Sequence, residues 1–222
     1  PEHACLYSLD HKVLLSGDQI LPRISSNVSV FPTEPAADPL HDWLSSCVAL
    51  RARLPDDVLV CPAHNEPFTG LHTRLSALIA GHADALGNLH TLCKERQRAV
   101  DVFPALFKAE ITDEIMMLAA GESLAHLNYL LGVGALSETL SADGVRWFEA
   151  VGDFTCGATH TRIYSRKIYR NIRVFDWTRI EKWVDHFEVI KRAVVIWPRV
   201  VLESVPDRAH AANVIRYTRS WI

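Results

Sequence analysis

Residues 1–21 read PEHACLYSLDHKVLLSGDQIL and residues 54–68 read LPDDVLVCPAHNEPF. In the first stretch CLYSL, a polar turn at Asp10-His11 and the apolar run Val13-Leu14-Leu15 predict a β-hairpin, since short apolar runs split by turn residues are the strand signal. The second strand ends in Ser16-Gly17-Asp18, so Asp18 falls just past a strand end. In the second stretch Val58-Leu59-Val60-Cys61 predicts a short buried strand running into Pro62-Ala63-His64, which puts His64 just past another. Between them residues 19–37, with Pro22, Pro32 and Pro35, read as a long irregular loop, a kind that usually carries function or mobility. Asp38 then fits an N-cap with Pro39 at the first helical position, and Leu40, Trp43, Leu44, Cys47 and Val48 recur at helical spacing. Strand, loop, helix, strand in succession predicts a layered α/β architecture, in which ligands collect at strand ends and on the loops there.

Downstream, Leu71, Leu75, Leu78, Ile79, Leu86, Leu89 and Cys93 predict a long helix to about Arg98. A short helix begins at Pro104, another opens at Thr112-Asp113-Glu114 and runs to Gly132, and residues 134–150 read as a hairpin turning at Asp143-Gly144. Helices followed by a two-stranded wing predict a small winged-helix-like subdomain. No apolar run approaches the ~18 residues of a membrane span, so no membrane association is expected. The opening residues have neither the basic nor the apolar region of a signal peptide, and Pro1 in place of Met predicts a segment upstream. Five cysteines, widely spaced and without a Cys-x-x-Cys pair, disfavour a disulfide framework and a structural zinc knuckle, and a cytoplasmic location is expected. Charge is uneven: residues 1–150 hold 10 Lys+Arg against 19 Asp+Glu, residues 151–222 hold 13 against 7, which marks a compositional boundary near Ala150.

A carboxylate and an imidazole at neighbouring strand ends are metal-ligand types, the carboxylate able to bridge two cations and the imidazole to complete the coordination of one. Taken singly, a strand-terminal Asp is more often a turn residue and a lone His more often a hydrogen-bonded surface or core group. The first stretch, however, resembles the segment of metallo-β-lactamase-fold hydrolases that ends in the metal-bridging aspartate, which makes Asp18, in SGDQIL, that residue. LPDDVLVCPAHNEPF is similar to the same family's Leu-Pro-Gly-His segment, with Ala63 in place of the glycine, and makes His64 its last metal-binding histidine. GLHTRLSALIAGH (70–82) and the later helices with DGVRWF (143–148) resemble the C-terminal extension of the subgroup that includes β-lactamase-like protein 2.

The resemblance, which covers roughly residues 1–148, implies the C-terminal part of an αββα sandwich over residues 1–99 and a winged-helix-like subdomain over 100–150; residues 151–222 resemble nothing in that family and read as a basic tail of unknown role. The same resemblance implies hydrolysis of an ester, thioester or lactam bond by metal-bound hydroxide at a centre of two ions, zinc by ligand type, with Asp18 and His64 as metal ligands and no nucleophilic side chain required. The family's His-x-His-x-Asp-His motif is nowhere in the 222 residues, and His3 matches a family histidine that is not generally a ligand. With two ligands in place of the roughly three to four that zinc takes, the chain alone is expected to be inactive.

Other residues carry less. His72 and His82 fall about 80° apart round their helix, and read as solvent-facing or capping groups before they read as lining a site entrance. His126, in the apolar GESLAHLNYL (121–130), reads as a packed, hydrogen-bonded core residue. Glu66 is a candidate to orient His64, against a solvated loop carboxylate. TRIYSRKIYRNIR (161–173) interleaves basic and aromatic residues as nucleic-acid binders do, a pattern that a solvated amphipathic strand or helix explains equally. One rival to the hydrolase is a nucleic-acid-binding module of 100–150 as a winged helix with the basic tail, another a non-catalytic interaction module that has lost the metal site. Helix is expected over 178–190 and a strand over 193–197. The boundary at Ala150 is testable by removing residues 151–222: the helices of 100–132 and the Trp147 hairpin should stay resistant to limited proteolysis, whereas a destabilised truncation would make the tail part of the core.

Overall fold

The computed structural model of the chain describes residues 4–154 and the backbone of 175–176. The helix expected over 178–190 and the strand over 193–197 lie outside the described residues, as do Cys156 and the basic stretch 161–173. The described residues form two compact units, one of 4–26 with 54–74 and one of 27–53 with 75–154.

The first unit is a small mixed sheet. Strand β1 (Leu6–Ser8) pairs antiparallel with β2 (Val13–Gly17), and β2 pairs parallel with β3 (Leu59–Pro62). The two-residue strand Phe175–Asp176 pairs parallel with β1 on its other side. The hairpin turns through Lys12 in the left-handed region, φ 51°, and the Lys12 carbonyl accepts from the Leu59 N–H at 2.8 Å, so one residue ends the turn and begins the next ladder. β2 runs Val13↔Leu59, Leu14↔Val60 and Leu15↔Cys61, then shifts register at a bulge between Leu15 and Gly17. Leu14, Ile20, Val58 and Val60 are fully buried, each contributing about 1.5–3 kcal/mol of transfer free energy.

The second unit is helical with a hairpin. Helix α1 (Pro39–Arg53) starts as the sequence predicts, with the Asp38 carboxylate accepting from the His41 N–H at 3.1 Å. Helix α2 (Leu71–Leu92) begins in the first unit and continues in the second. It stops at Leu92 rather than near Arg98, because the following backbone joins the hairpin. The Cys93 carbonyl accepts from Ala150, and Gln97 exchanges both main-chain bonds with Phe148. After α3 (Phe103–Leu106) comes α4 (Met116–Gly132). Its start is later than Thr112, since residues 112–115 form a turn and the Thr112 hydroxyl bonds the Glu114 carboxylate instead of capping. Strands β4 (Leu136–Leu140) and β5 (Arg146–Ala150) form the hairpin, with Gly144 at φ 83° in its turn and Phe148 fully buried. Cys5, Cys47, Cys61 and Cys93 are buried.

The loop leading to α1 is strapped onto α4. Asn27 Nδ2 donates to Glu122 Oε2 at 3.0 Å, Val30 N–H to the Gly121 carbonyl at 3.0 Å, and Asn128 Nδ2 to the carbonyls of Pro35 and Ala37 at 3.0 and 2.8 Å. The approach requires Gly121, because a Cβ there would lie 2.9 Å from Ser29 Cβ and 3.1 Å from the Val30 carbonyl oxygen. Gly121→Ala should therefore cost about 1–3 kcal/mol in urea unfolding, the range for overpacking; an unchanged midpoint would show that the loop yields freely.

Across α2 and α4, His82 and His126 are 6% and 2% exposed, with ring centroids 5.3 Å apart. Burial pushes both imidazoles down, His82 to about 3 with the charge of His126 adding to the effect, and His126 to about 4. Burial raises the Glu122 carboxyl to about 7, opposed by the bond from Asn27. For a depressed histidine, stability is complete above the unfolded value of 6.5 and is lost as pH falls toward the folded value. For a raised carboxyl, stability is complete below 4.5 and is lost as pH rises through about 7. Between pH 6.5 and 4.5 two histidine protons outweigh one carboxyl proton, a net loss of about 1 kcal/mol per pH unit on acidification. Denaturant unfolding at pH 6.5, 5.5 and 4.5 should show that slope, steepened in Glu122→Gln; stability that rises on acidification would contradict it.

Candidate metal centre

Strands β2 and β3 are parallel, so their C-terminal ends share one edge of the sheet. There Gly17, at φ 53°, takes a turn that side-chain-bearing residues rarely adopt, and its carbonyl accepts from the Ala63 N–H at 3.1 Å, carrying the pairing one step past the strands. The next residues on each side are Asp18 and His64. Asn65, at φ 67°, turns the second loop back, so that Phe68 pairs with Val60 in both directions.

Asp18 Oδ1 stands 3.3 Å from His64 Nε2. The approach lacks hydrogen-bond geometry, for Oδ1 is shielded from solvent and bonded to nothing among the described residues, although the Asp18 side chain as a whole is 41% exposed and that of His64 65%. Sequence reasoning put both residues at strand ends; the structure brings them within contact of one another.

Four further interactions hold the Asp18 loop, and none was legible beforehand. The Ser26 hydroxyl donates to the Asp18 carbonyl, and that of Ser16 to the Ile20 carbonyl at 2.9 Å. Arg74, in the first turn of α2, donates to the carbonyls of Leu21 and Ile24 at 2.6 and 2.8 Å. Arg23 donates twice to Glu66 Oε1, at 2.9 and 2.5 Å, tying the Asp18 loop to the His64 loop and holding the Glu66 carboxyl below its usual range. Glu66, read from the sequence as a solvated loop carboxylate before a group orienting His64, is paired with Arg23. His72 donates from Nε2 to the Leu54 carbonyl at 2.8 Å, a capping role, while His82 is a core residue instead of a solvent-facing one and His126 is packed as expected. Burial pushes the Cys61 thiol up to about 12, so it supplies no thiolate at this strand end.

Comparison with known proteins bears on this edge and on the helical unit. Residues 86–151 match the family model of the metallo-beta-lactamase-like C-terminal domain. A beta-lactamase domain protein from Burkholderia ambifaria shares 40% identity over 68% of this chain and 45% of its own, with a TM-score of 0.64. The chain is of the metallo-beta-lactamase-like kind. A metallo-beta-lactamase family protein from Thermus thermophilus shares 29% identity over 64% of this chain and 44% of its own, with a TM-score of 0.53. No curated protein matches. This metallo-beta-lactamase-like chain thus spans less than half the length of either solved structure. Among its described residues no helix is long and apolar enough to cross a membrane.

The pair fits a metal of the type this family implies. Two donors bound at ~2.0–2.1 Å to one tetrahedral cation stand about 3.3 Å apart, which is the separation of Oδ1 and Nε2. A shielded carboxylate oxygen without a hydrogen bond is costly unless something completes it. Among the described residues no group of three or more His, Cys, Asp and Glu side chains is placed to hold a metal, so Asp18 and His64 offer two donors only.

Arg74 gives the site's first test. Its two charge-assisted bonds to main chain are the strong kind, so Arg74→Ala should lower stability by about 1–3 kcal/mol and speed amide hydrogen exchange over residues 20–25. Exchange unchanged there would mean that the loop holds itself.

Proposed function

We propose that the complete protein is a metal-dependent hydrolase of the metallo-β-lactamase superfamily, cleaving an ester, thioester or lactam bond in a small molecule, and that Asp18 and His64 are the part of its metal centre that this chain carries. The observation behind this reading is the contact at 3.3 Å between a histidine nitrogen and a shielded carboxylate oxygen that has no hydrogen bond. Two bound ions, zinc by ligand type, would bring a water to a pKa near neutrality and polarise the scissile carbonyl. Asp18, through its carboxylate, and His64, through Nε2, would be among the residues that hold them. Both bind in their deprotonated forms, so metal affinity falls with acidification. The clamp of Ser26, Arg74 and the Arg23–Glu66 pair fixes Asp18 before any metal arrives, which lowers the ordering cost of binding.

The proposal carries with it the division into 1–99, 100–150 and 151–222, a winged-helix-like role for α4 with its hairpin, and a cytoplasmic location. The nucleic-acid reading takes residues 100–150 as a winged helix and the basic tail as a second contact surface; the first segment is not basic, the second lies outside the described residues, and the reading is not adopted. Alone, the chain should bind zinc weakly and hydrolyse nothing at a useful rate. Joined to an upstream segment that carries His-x-His-x-Asp-His, it should hydrolyse a chromogenic ester, thioester or lactam in a chelator-sensitive way, with Asp18→Ala lowering kcat/KM by about 100-fold or more. Chelator-resistant turnover, or turnover indifferent to Asp18, would sink the proposal. Tight stoichiometric zinc on the isolated chain would mean that further ligands complete the site.

A further inference from the structure

Five buried side-chain polar atoms of the helical unit have no hydrogen-bond partner among the described residues: Ser45 Oγ, His90 Nε2 and the three that matter here, Trp43 Nε1, His82 Nε2 and Ser123 Oγ. The bonds around them fix which can donate. His126 Nδ1 lies 2.8 Å from the Glu122 carbonyl, and a carbonyl oxygen only accepts, so the His126 proton sits on Nδ1. A neutral imidazole has one such proton, and burial keeps both rings neutral, which leaves His126 Nε2 as an acceptor. His82 Nδ1, at 3.2 Å, must then donate to it. That bond takes the only proton His82 has. Its Nε2 is left as a bare acceptor inside the protein, the residue being 6% exposed.

Trp43, on α1, packs edge-on against this ring with centroids 4.9 Å apart, and its indole N–H can only donate. A buried donor and a buried acceptor thus belong to rings in contact, without a direct bond between them. Ser123 is three residues before His126 on α4 and so shares its helix face, with a hydroxyl that can do either. We propose that an internal water sits among α1, α2 and α4, accepting from the Trp43 indole, donating to His82 Nε2 and bonding the Ser123 hydroxyl. Three partners is the usual number for a buried water. The result is a continuous relay from indole through water, His82 and His126 to the Glu122 carbonyl, in which every tautomer is determined by the next group.

Long-range proton–nitrogen correlation on the full chain reads the tautomers, and water cross-relaxation to the His82 ring reads the site. Both imidazoles should be protonated on Nδ1, and the His82 ring should show a long-lived water. Trp43→Phe keeps the ring packing but removes one of the three bonds, and should shorten the water's residence about ten-fold, the equivalent of ~1.4 kcal/mol. Should that variant not fold, Ser123→Ala supplies the same reading. A proton on His82 Nε2, no long-lived water at His82, or a residence time indifferent to the substitution that folds would each overturn the proposal.

Discussion

The parallel ladder between β2 and β3 is the constraint on which the candidate site depends. Parallel strands deliver their C-terminal residues to one edge, and the bulge between Leu15 and Gly17 decides which residues meet there. A slip of one residue would send every side chain of a strand to the opposite face. The ladder is held against that slip at both ends, by the Leu59–Lys12 bond before it and the Ala63–Gly17 bond after it. Glycine at position 17 matters for the same reason, since its positive φ lets the chain turn while its carbonyl still pairs.

What the sequence made legible follows from this. Short apolar runs ending in Gly-Asp and in Pro-Ala-His mark strand ends whatever the partner strand is, so the strand-end positions of Asp18 and His64 were legible without a structure, while their reading as metal ligands came from the resemblance alone. The capped start of α1 was legible too, because Asp38 and Pro39 act on adjacent backbone. The late start of α4 and the early end of α2 were not, for the backbone of Cys93 and Gln97 is claimed by Phe148 and Ala150, some fifty residues away. Arg74 carried no local signal either, being one basic residue in the first turn of a helix. His82 was misjudged for a related reason: periodicity fixes its angle on α2, but burial comes from Trp43 and His126 on other elements.

The two units handle polar groups in different ways. In the helical unit two histidines are buried and held neutral near pH 7 and a half-buried carboxyl is raised to about 7, a costly arrangement unless each hydrogen bond is made. In the sheet unit the charged pairs, Lys12 with Asp57 and Arg23 with Glu66, are largely exposed and so add little to stability. Their value lies in geometry, with Arg23 joining the two loops that carry Asp18 and His64. Among the described residues of the sheet unit, the shielded Asp18 oxygen is the one buried side-chain polar atom without a partner.

Anomalous diffraction from crystals of this chain soaked in zinc addresses that feature most directly. If Asp18 and His64 are part of a metal centre, a zinc peak will lie about 2 Å from both Asp18 Oδ1 and His64 Nε2, and will vanish in Asp18→Ala. Zinc bound only at other histidines, with the Asp18–His64 contact unchanged, would contradict the account.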